Sequence, residues 1–443
     1  MPTPLDPTTP DDAARDAPTA NAAAEHPHWK RDVGLFLTGQ TVSMFGSMLV
    51  QYAIMWYLTL ETRSGWVLAL SVVFGMLPQA VVSIFGGVWA DRLNRKALII
   101  AADASIAVTT LALALFMLFG VTELWMIFLT LAIRSTGAGI QQPAVMALIP
   151  QLVPTERLIR VNGLFQTIQS AMMLVAPAAA AAILASFDIV GIFFVDVVTA
   201  ALGIGLLLLI AVPTIRSAAT AGQGYFADLV AGVRYTFTHR LVRWLLGLFA
   251  VIFLLTVAPS MLTPLMVVRT FGPEEWKLAV NEIAFSLGMM GGGILIATWG
   301  GFKNRVVTML VASVAFGALT LALGLSSNMW VFFAVMLLVG FAVPFFVTPS
   351  TTLLQERVEP EYQGRVFSFV GIVMAVAAPI GMIVLGPLAD VVSVELLLVI
   401  AGAIPFVVVA VAAVVPGGRA ALAEGRAPVA AGDDAAAGAA AEH

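Results

Sequence analysis

Long apolar segments alternate with short polar ones along most of the chain. Each apolar segment reaches or exceeds the roughly 20 residues that a helix needs to cross a bilayer. Twelve such segments are predicted, at approximately 33–59, 66–89, 97–119, 122–149, 159–185, 188–212, 242–268, 277–299, 305–325, 328–354, 365–389 and 392–415. The pattern therefore predicts an all-α membrane protein with 12 transmembrane helices.

One longer polar interruption divides the series into six spans and six spans. Apolar residues recur in it at helical spacing, at Phe226, Leu229, Val230, Val233 and Phe237. This spacing predicts an amphipathic helix lying at the membrane surface. We therefore predict an N-terminal six-helix half over 31–212, a cytoplasmic linker over 213–241 and a C-terminal six-helix half over 242–415.

Composition agrees with a membrane protein and marks the two ends. Hydrophobic residues make up 60% of the 443 residues and charged residues 11%, with a mean hydropathy of +0.98. An ordinary soluble domain is about half apolar and a quarter charged. Residues 1–30 and 416–443 are rich in alanine and polar or small residues, which predicts disordered tails. The first 28 residues lack a basic segment followed by an apolar one, so we expect no signal peptide.

The basic residues predict the orientation of the spans. With the N-terminus inside, 18 of the 22 lysines and arginines fall in cytoplasmic segments. Only Arg63, Arg269 and Lys277 fall in outer loops, and Arg134 lies within a span. Because cytoplasmic loops carry an excess of basic residues, both termini are expected in the cytoplasm. The expected location is a bacterial inner (cell) membrane.

The two halves repeat each other weakly. WADRLNR (89–95) aligns with WGGFKNR (299–305), and Pro143 and Pro154 align with Pro349 and Pro360 at nearly the same offset. Parallel repeats of six spans are one plan of secondary transporters, with the substrate site between the halves near the midplane. The repeat therefore predicts two six-helix halves related by a pseudo-two-fold axis along the membrane normal.

A charged motif lies between spans 2 and 3, in GGVWADRLNRK (86–96). It resembles the loop 2–3 signature of the major facilitator superfamily. The matching residues are Gly87, Asp91, Arg92, Arg95 and Lys96, and Asn94 stands where the family has glycine.

This resemblance implies a latch at the cytoplasmic side. The Asp91 carboxylate would accept hydrogen bonds from the start of span 11, near Gly364 and Arg365, when that side is closed. Because asparagine tolerates the left-handed conformation, we expect Asn94 to preserve the tight turn. Positive-inside anchoring by the basic residues applies too, but it does not explain Gly87 or Asp91.

The region 133–184 resembles more narrowly the macrolide-efflux and siderophore-exporter branch of this superfamily. That branch also has acids at the positions of Asp103, Asp196 and Glu282, and the resemblance covers about residues 30–415. It implies export of drugs or amphipathic natural products against a proton gradient.

Four charged residues within the spans are candidates for proton coupling or substrate binding, because burying a charge in the bilayer is costly. Arg134 needs a cavity or a carboxylate, as a coupling residue or as part of a structural ion pair. Asp196 and Glu282 are candidate proton carriers or cation sites, or alternatively a structural and a snorkelling acid. Asp103 is expected to have a structural partner, Arg95 or Arg134. Asp390, at the outer end of span 11, is expected to be solvated.

Amide and methionine side chains share one face of spans 1 and 5. They are Gln40, Met44 and Gln51 in span 1, and Gln166 and Gln169 in span 5. Amides mixed with flexible methionine suit a pocket for varied amphipathic ligands, although interhelical packing explains them equally well.

The chemistry of the sequence favours a transporter over an enzyme. The chain has no cysteine, and its four histidines lie outside the spans, so no metal, cofactor or nucleic-acid site is expected. We predict a monomeric, proton-coupled exporter, an antiporter of macrolide-like compounds or lipophilic cations that works by alternating access. The alternatives are an exporter of a siderophore or other narrow metabolite, and a symporter that imports a small metabolite.

Overall fold

The computed structural model describes residues 28–212 and 239–424. Within these ranges the side chains of residues 87, 88, 91, 92, 155, 360, 361, 364, 365 and 368 are not described. The predicted amphipathic helix and most of both predicted tails lie outside the described residues.

The described chain folds into long helices that follow the predicted spans. The N-terminal six are α1 Trp29–Thr62, α2 Gly65–Arg92, α3 Arg95–Leu118, α4 Leu124–Leu152, α5 Leu158–Ser186 and α6 Ile189–Leu208. The C-terminal series is α7 Arg240–Phe271, α8 Glu275–Trp299, α9 Arg305–Leu325, α10 Met329–Arg357, α11 Pro360–Val391, α12 Val394–Val414 and the short α13 Pro416–Glu424.

Eleven of the described helices are long and apolar enough to cross a membrane by composition alone. The remaining long helix, α4, has 29 residues, which is ample length for a span. It carries Arg134 and the amides Gln141 and Gln142, which lower its mean hydropathy. The fold is therefore the predicted 12-helix arrangement, with one span made polar by residues that prove to belong to the site.

Two segments differ from the sequence prediction. The seventh span is a broken helix, interrupted near Thr256 and Leu262 and ending in a π-helical turn over Val267–Phe271. Pro259 and Pro264 lie within it, and proline removes the backbone donor that a continuous helix needs. Residues 416–424, assigned from sequence to a disordered tail, form a helix instead. It lies against the C-terminal half, where the Asn304 side chain donates to the Leu422 carbonyl at 2.7 Å.

The internal repeat is visible in the helix starts. Asn94 caps α3 by accepting from the Ala97 N–H at 3.1 Å, and Asn304 caps α9 by accepting from the Val306 N–H at 3.0 Å. The expectation of a left-handed Asn94 was wrong, since its φ is −67°. The Asn94 side chain instead acts as a helix cap, because its Oδ1 satisfies a free N–H at the start of α3.

The halves meet through two symmetry-related helix pairs, α2 with α11 and α5 with α8. We call the end that carries the α1–α2 and α11–α12 loops the outer end, after the predicted orientation, and the opposite end the inner end. At the outer end one apolar core takes residues from both halves, such as Trp56 and Leu262. At the inner end each half has its own core. The described halves therefore share a core at the outer end and have separate cores at the inner end.

Glycines bring α8 and α10 into direct backbone contact. A Cβ on Gly288 would lie 1.9 Å from the Leu337 carbonyl oxygen, and one on Gly292 would lie 2.2 Å from that of Phe341. On the other helix, a Cβ on Gly340 would lie 2.1 Å from the Phe285 carbonyl oxygen. Small residues let spanning helices approach this closely, and the contact fixes where α8 presents its side chains.

We expect Gly288→Ala to lower the unfolding free energy by about 3 kcal/mol, because the methyl group meets backbone that cannot rotate away. Gly293→Ala is the matched control on the same helix, since nothing lies within 4 Å of its added Cβ. That control should be neutral or stabilised by up to about 1 kcal/mol. Unfolding midpoints of the purified protein in mixed SDS and neutral detergent measure both. Equal effects would refute the assigned role of Gly288.

Candidate functional site

A buried ion pair links α4 to α6 inside the N-terminal half. Arg134 Nη1 donates to Asp196 Oδ2 at 2.5 Å, and both residues are almost fully buried. The same guanidinium donates to the Thr110 hydroxyl of α3 and, at 3.3 Å, to the Ser47 carbonyl of α1. From sequence, Arg134 was expected to face a cavity or a carboxylate, and in the structure it pairs with the Asp196 carboxylate.

A close helix crossing places Asp196 there. A Cβ on Gly46 of α1 would lie 1.9 Å from the Thr199 hydroxyl of α6, so only glycine allows the approach. The second carboxylate oxygen of Asp196, Oδ1, is buried and has no hydrogen-bond partner. Asp196 is therefore held to Arg134 through Oδ2 alone.

Asp103 lies near this pair but does not join it. Its Oδ1 accepts hydrogen bonds from the Gln141 amide of α4 at 2.5 Å and from the Ser43 hydroxyl of α1 at 3.5 Å. The expected partners, Arg95 and Arg134, are therefore wrong. Arg95 instead donates to the carbonyls of Ala90 and Ala147, at the inner ends of α2 and α4.

Glu282 is the intramembrane acid of the C-terminal half, and it is half-buried on α8. It forms no hydrogen bond or ion pair with any residue of the described ranges. It lies close enough to Tyr52 of α1 to act on it electrostatically across the two halves. Glu282 therefore borders the space between the halves, and no hydrogen bond or ion pair with a described residue occupies its carboxylate.

An apolar cavity of about 380 Å³ opens in the C-terminal half below Glu282. No charged residue lines it. Its apolar walls are Ile252, Phe253, Phe285, Met289, Ala312, Phe316, Ala342, Val343, Pro344, Phe346, Val347 and Met374. Four hydroxyl side chains also line it. Those of Thr256, Ser260 and Ser313 donate to carbonyls of their own helices, and that of Thr348 makes no hydrogen bond with a described residue. The cavity therefore offers an apolar surface, with Phe285 and Met289 on the same face of α8 as Glu282.

Sequence reasoning missed this cavity, since apolar residues lining a cavity look like apolar residues facing lipid. Its only sequence signal is indirect, in the glycines of α8 and in Pro259 and Pro344, which shape the surrounding helices. The residues of the predicted amide pocket do not line this cavity. Gln40 is buried, Met44 and Gln169 are half-buried, and Gln51 and Gln166 are exposed, and none of these five lines the cavity.

A second cluster, which we call the outer clasp, joins the halves where α11 ends and α2 begins. Asp390 of α11 accepts from the backbone N–H groups of Gly65 and Trp66 at 2.7 and 2.9 Å, and from the Ser64 hydroxyl at 2.9 Å. These donors lie at the positive end of the α2 dipole. Asp390, expected to be solvated, is therefore a capping residue between the halves.

Arg269 of α7 completes the outer clasp. Its guanidinium donates to Asp390 at 2.8 Å, to the Ala389 carbonyl at 2.5 Å and to the Arg63 carbonyl at 2.6 Å. One side chain of the C-terminal half thus holds both the end of α11 and the turn before α2. Arg269 was read from sequence only as an outer loop charge, because nothing in the sequence places it beside Arg63.

The loop 2–3 motif is only partly described. Lys96 donates to the Leu208 and Ile210 carbonyls at the end of α6, at 3.1 and 2.7 Å, and Arg95 and Asn94 make the contacts given above. The predicted latch of Gly87, Asp91 and Arg92 with the start of α11 lies outside the described side chains, so it stays a prediction. The described residues hold no group of acids and histidines arranged to bind a metal ion.

Twelve spans in two repeated halves, with charged groups buried between helices and a cavity in one half, define a multi-pass membrane transporter. A family model of the Major Facilitator Superfamily matches residues 33–382 and 275–432. The chain belongs to the Major Facilitator Superfamily. This membership makes it a transporter and not an enzyme.

The relatives confirm the narrower resemblance. Macrolide efflux protein A of Streptococcus pyogenes is 30% identical over 384 residues, which are 82% of this chain and 90% of the relative. Macrolide efflux protein A of Enterococcus faecalis is 31% identical over 340 residues, 72% of this chain and 99% of the relative. The chain is thus similar to macrolide-efflux members of the family.

Solved structures share the fold at low identity. The crystal structure of a bacterial homologue of the human lysosomal transporter Spinster, in an inward-facing and unoccupied conformation, matches with a TM-score of 0.62. Identity is 15%, and the match covers 90% of this chain and 96% of that one. This likeness concerns the fold alone.

Proposed function

We propose that the protein is a proton-coupled exporter of amphipathic compounds, macrolide-like or cationic, across a bacterial inner membrane. The observation that carries the proposal is Glu282, an acid with no hydrogen bond or ion pair among the described residues, on the helix face that continues into the apolar cavity. An amine on the substrate and a proton would compete for its carboxylate, while the apolar body of the substrate would enter the cavity. The names of the macrolide-efflux relatives support export.

The two halves would alternate between outward-open and inward-open states. The outer clasp joins the halves at the outer end, and the halves have separate cores at the inner end. The described residues therefore fit the inward-open state. Because α2 and α11 run antiparallel, the end of each lies beside the start of the other. Asp390 would fasten the outer side, and Asp91 would fasten the inner side once the outer clasp has opened.

Protonation of Asp196 would change the contacts that Arg134 makes with the helices of the N-terminal half. A proton on the unpartnered oxygen of Asp196 would weaken its hold on Arg134, which also contacts α1 and α3. One chain contains both six-helix halves and all of the proposed site residues, so a monomer suffices for transport. The bias of basic residues supports a cytoplasmic location for both termini.

Glu282→Gln should abolish substrate-triggered proton release from everted membrane vesicles, because glutamine fills the same volume without carrying a proton. Internal pH is followed after energisation, before and after adding a macrolide or a lipophilic cation. The matched control is Glu275→Gln, which removes an acid from the first turn of the same helix and should respond as the unmodified protein does.

The outcomes separate the alternatives. A full response in the Glu282→Gln variant would remove Glu282 from the coupling. If abundant, folded protein responds to no compound, the substrate is a narrow metabolite or the direction is import. If protons and substrate cross the vesicle membrane in the same direction, the result would establish symport and overturn the proposed export.

A further inference from the structure

A cavity of about 250 Å³ lies at the inner end, where α1 and α5 begin side by side. Three of its eight lining residues are cations, Lys30, Arg157 and Arg160, and none is an acid. The others are the aromatic Trp29 and the apolar Val33, Leu37, Val161 and Leu164. One wall is therefore strongly positive and the other is apolar.

Within the described ranges, the three cations have no bonded partner. Their side chains make no hydrogen bond or ion pair with any residue that the structure describes, and all three residues are exposed. Lys30 lies over the Trp29 ring at 5.9 Å from its centroid. Neither of the nearby acids, Asp32 in the first turn of α1 and Glu156 before α5, lines the cavity.

The backbone adds to the positive potential. The α1 helix starts at this cavity without a side-chain cap, whereas α5 continues there from a 3₁₀ turn over Thr155–Arg157. The first N–H groups of a helix are unpaired within it, and the helix dipole is positive there, so an anion is favoured at such a start. The start of α1 and three cations therefore converge on one cavity.

We propose that this cavity binds the phosphate headgroup of an anionic phospholipid. The phosphate would lie among Lys30, Arg157 and Arg160, with Trp29 at the level of the headgroups. The glycerol and the first acyl carbons would lie along the apolar wall. Basic pockets between spanning helices on the cytoplasmic side recognise lipids in this way. The site is independent of the transported substrate, and it ties the starts of α1 and α5 to the charge of the membrane.

The test uses the full-length protein purified in neutral detergent, with its thermal unfolding midpoint as the readout. It is titrated separately with short-chain phosphatidylglycerol, short-chain phosphatidylcholine and inorganic phosphate. We expect phosphatidylglycerol alone to raise the midpoint with saturation. The Arg157→Gln/Arg160→Gln variant should need about tenfold more phosphatidylglycerol for half of the effect, since each lost cation weakens binding to an anionic lipid.

The matched control is Lys303→Gln/Arg419→Gln, which removes the same net charge from exposed inner-end positions away from the cavity. It should keep the affinity of the unmodified protein. Lys30→Gln serves as a second variant if the double arginine variant does not fold, and it should also weaken binding. An equal response to phosphatidylcholine, an equal response to free phosphate, or equal losses in test and control variants would each overturn the proposal.

Discussion

Asp390→Asn should open the outer end of the transporter. The carboxylate accepts four hydrogen bonds from the opposite half and from Arg269, and its charge strengthens each of them. The side chain is 31% exposed, so solvent screens part of this. A net loss of about 2 kcal/mol corresponds to about a 30-fold shift toward the outward-open state.

A single introduced thiol reports this shift, because the chain has no cysteine. Ala69 is 1% exposed and faces Gly386 of α11 across the outer contact. Its replacement by cysteine should react with a membrane-impermeant maleimide about 30-fold faster in the Asp390→Asn background, in line with that shift. Arg269→Gln should accelerate the reaction too, because the guanidinium binds both sides of the contact.

Glu395→Gln is the control for the outer clasp. It removes an acid from the same end of the molecule, whose bond to Thr270 at 2.6 Å stays within the C-terminal half. Its labelling rate should match that of the Ala69→Cys parent. If Asp390→Asn also leaves the rate unchanged, the outer clasp does not hold the halves together.

Asp196→Asn should destabilise the protein by about 3–5 kcal/mol, the usual cost of leaving one partner of a buried ion pair alone. The loss should exceed that of Arg134→Gln. An abandoned aspartate can take up a proton and become neutral, whereas an abandoned arginine stays charged. Unfolding midpoints in mixed SDS and neutral detergent measure both variants, and transport assays should find both inactive.

The double variant tests whether the charge itself is the cause. Adding Arg134→Gln to Asp196→Asn removes the unpaired guanidinium, so the double variant should be at least about 1 kcal/mol more stable than Asp196→Asn alone. Transport should remain lost, because neutral amides cannot exchange a proton. Additive losses would falsify the account of a buried pair that protects an otherwise unpaired arginine.

Much of the architecture follows from sequence. The number of spans, the two halves and the asymmetry of basic residues depend on local hydropathy and charge, which neighbouring helices do not alter. The caps Asn94 and Asn304 were not predicted, and Asn94 was expected in a left-handed turn, although a capping side chain bonds within its own first turn. Even the identity of the polar span, α4, was marked in advance by Arg134.

The partners of the charged residues could not be predicted in this way. From sequence, the expected partners of Asp103 were Arg95 and Arg134. In the structure, its hydrogen-bond partners are Ser43 and Gln141. Asp196 lies within reach of Arg134 where Gly46 lets α1 and α6 approach closely. A contact between helices depends on their rotation and depth, and one residue of rotation turns a side chain by about 100°.

Twelve spans and charges buried in the N-terminal half could be predicted from sequence, because bilayer thickness and hydropathy act on each segment separately. Only the folded arrangement of helices shows that Asp390 joins the halves, that Arg134 binds Asp196, and that an apolar cavity opens beside Glu282. These features arise where helices far apart in sequence meet. Their geometry is set by close glycine contacts and proline breaks summed over several helices, which no single segment encodes.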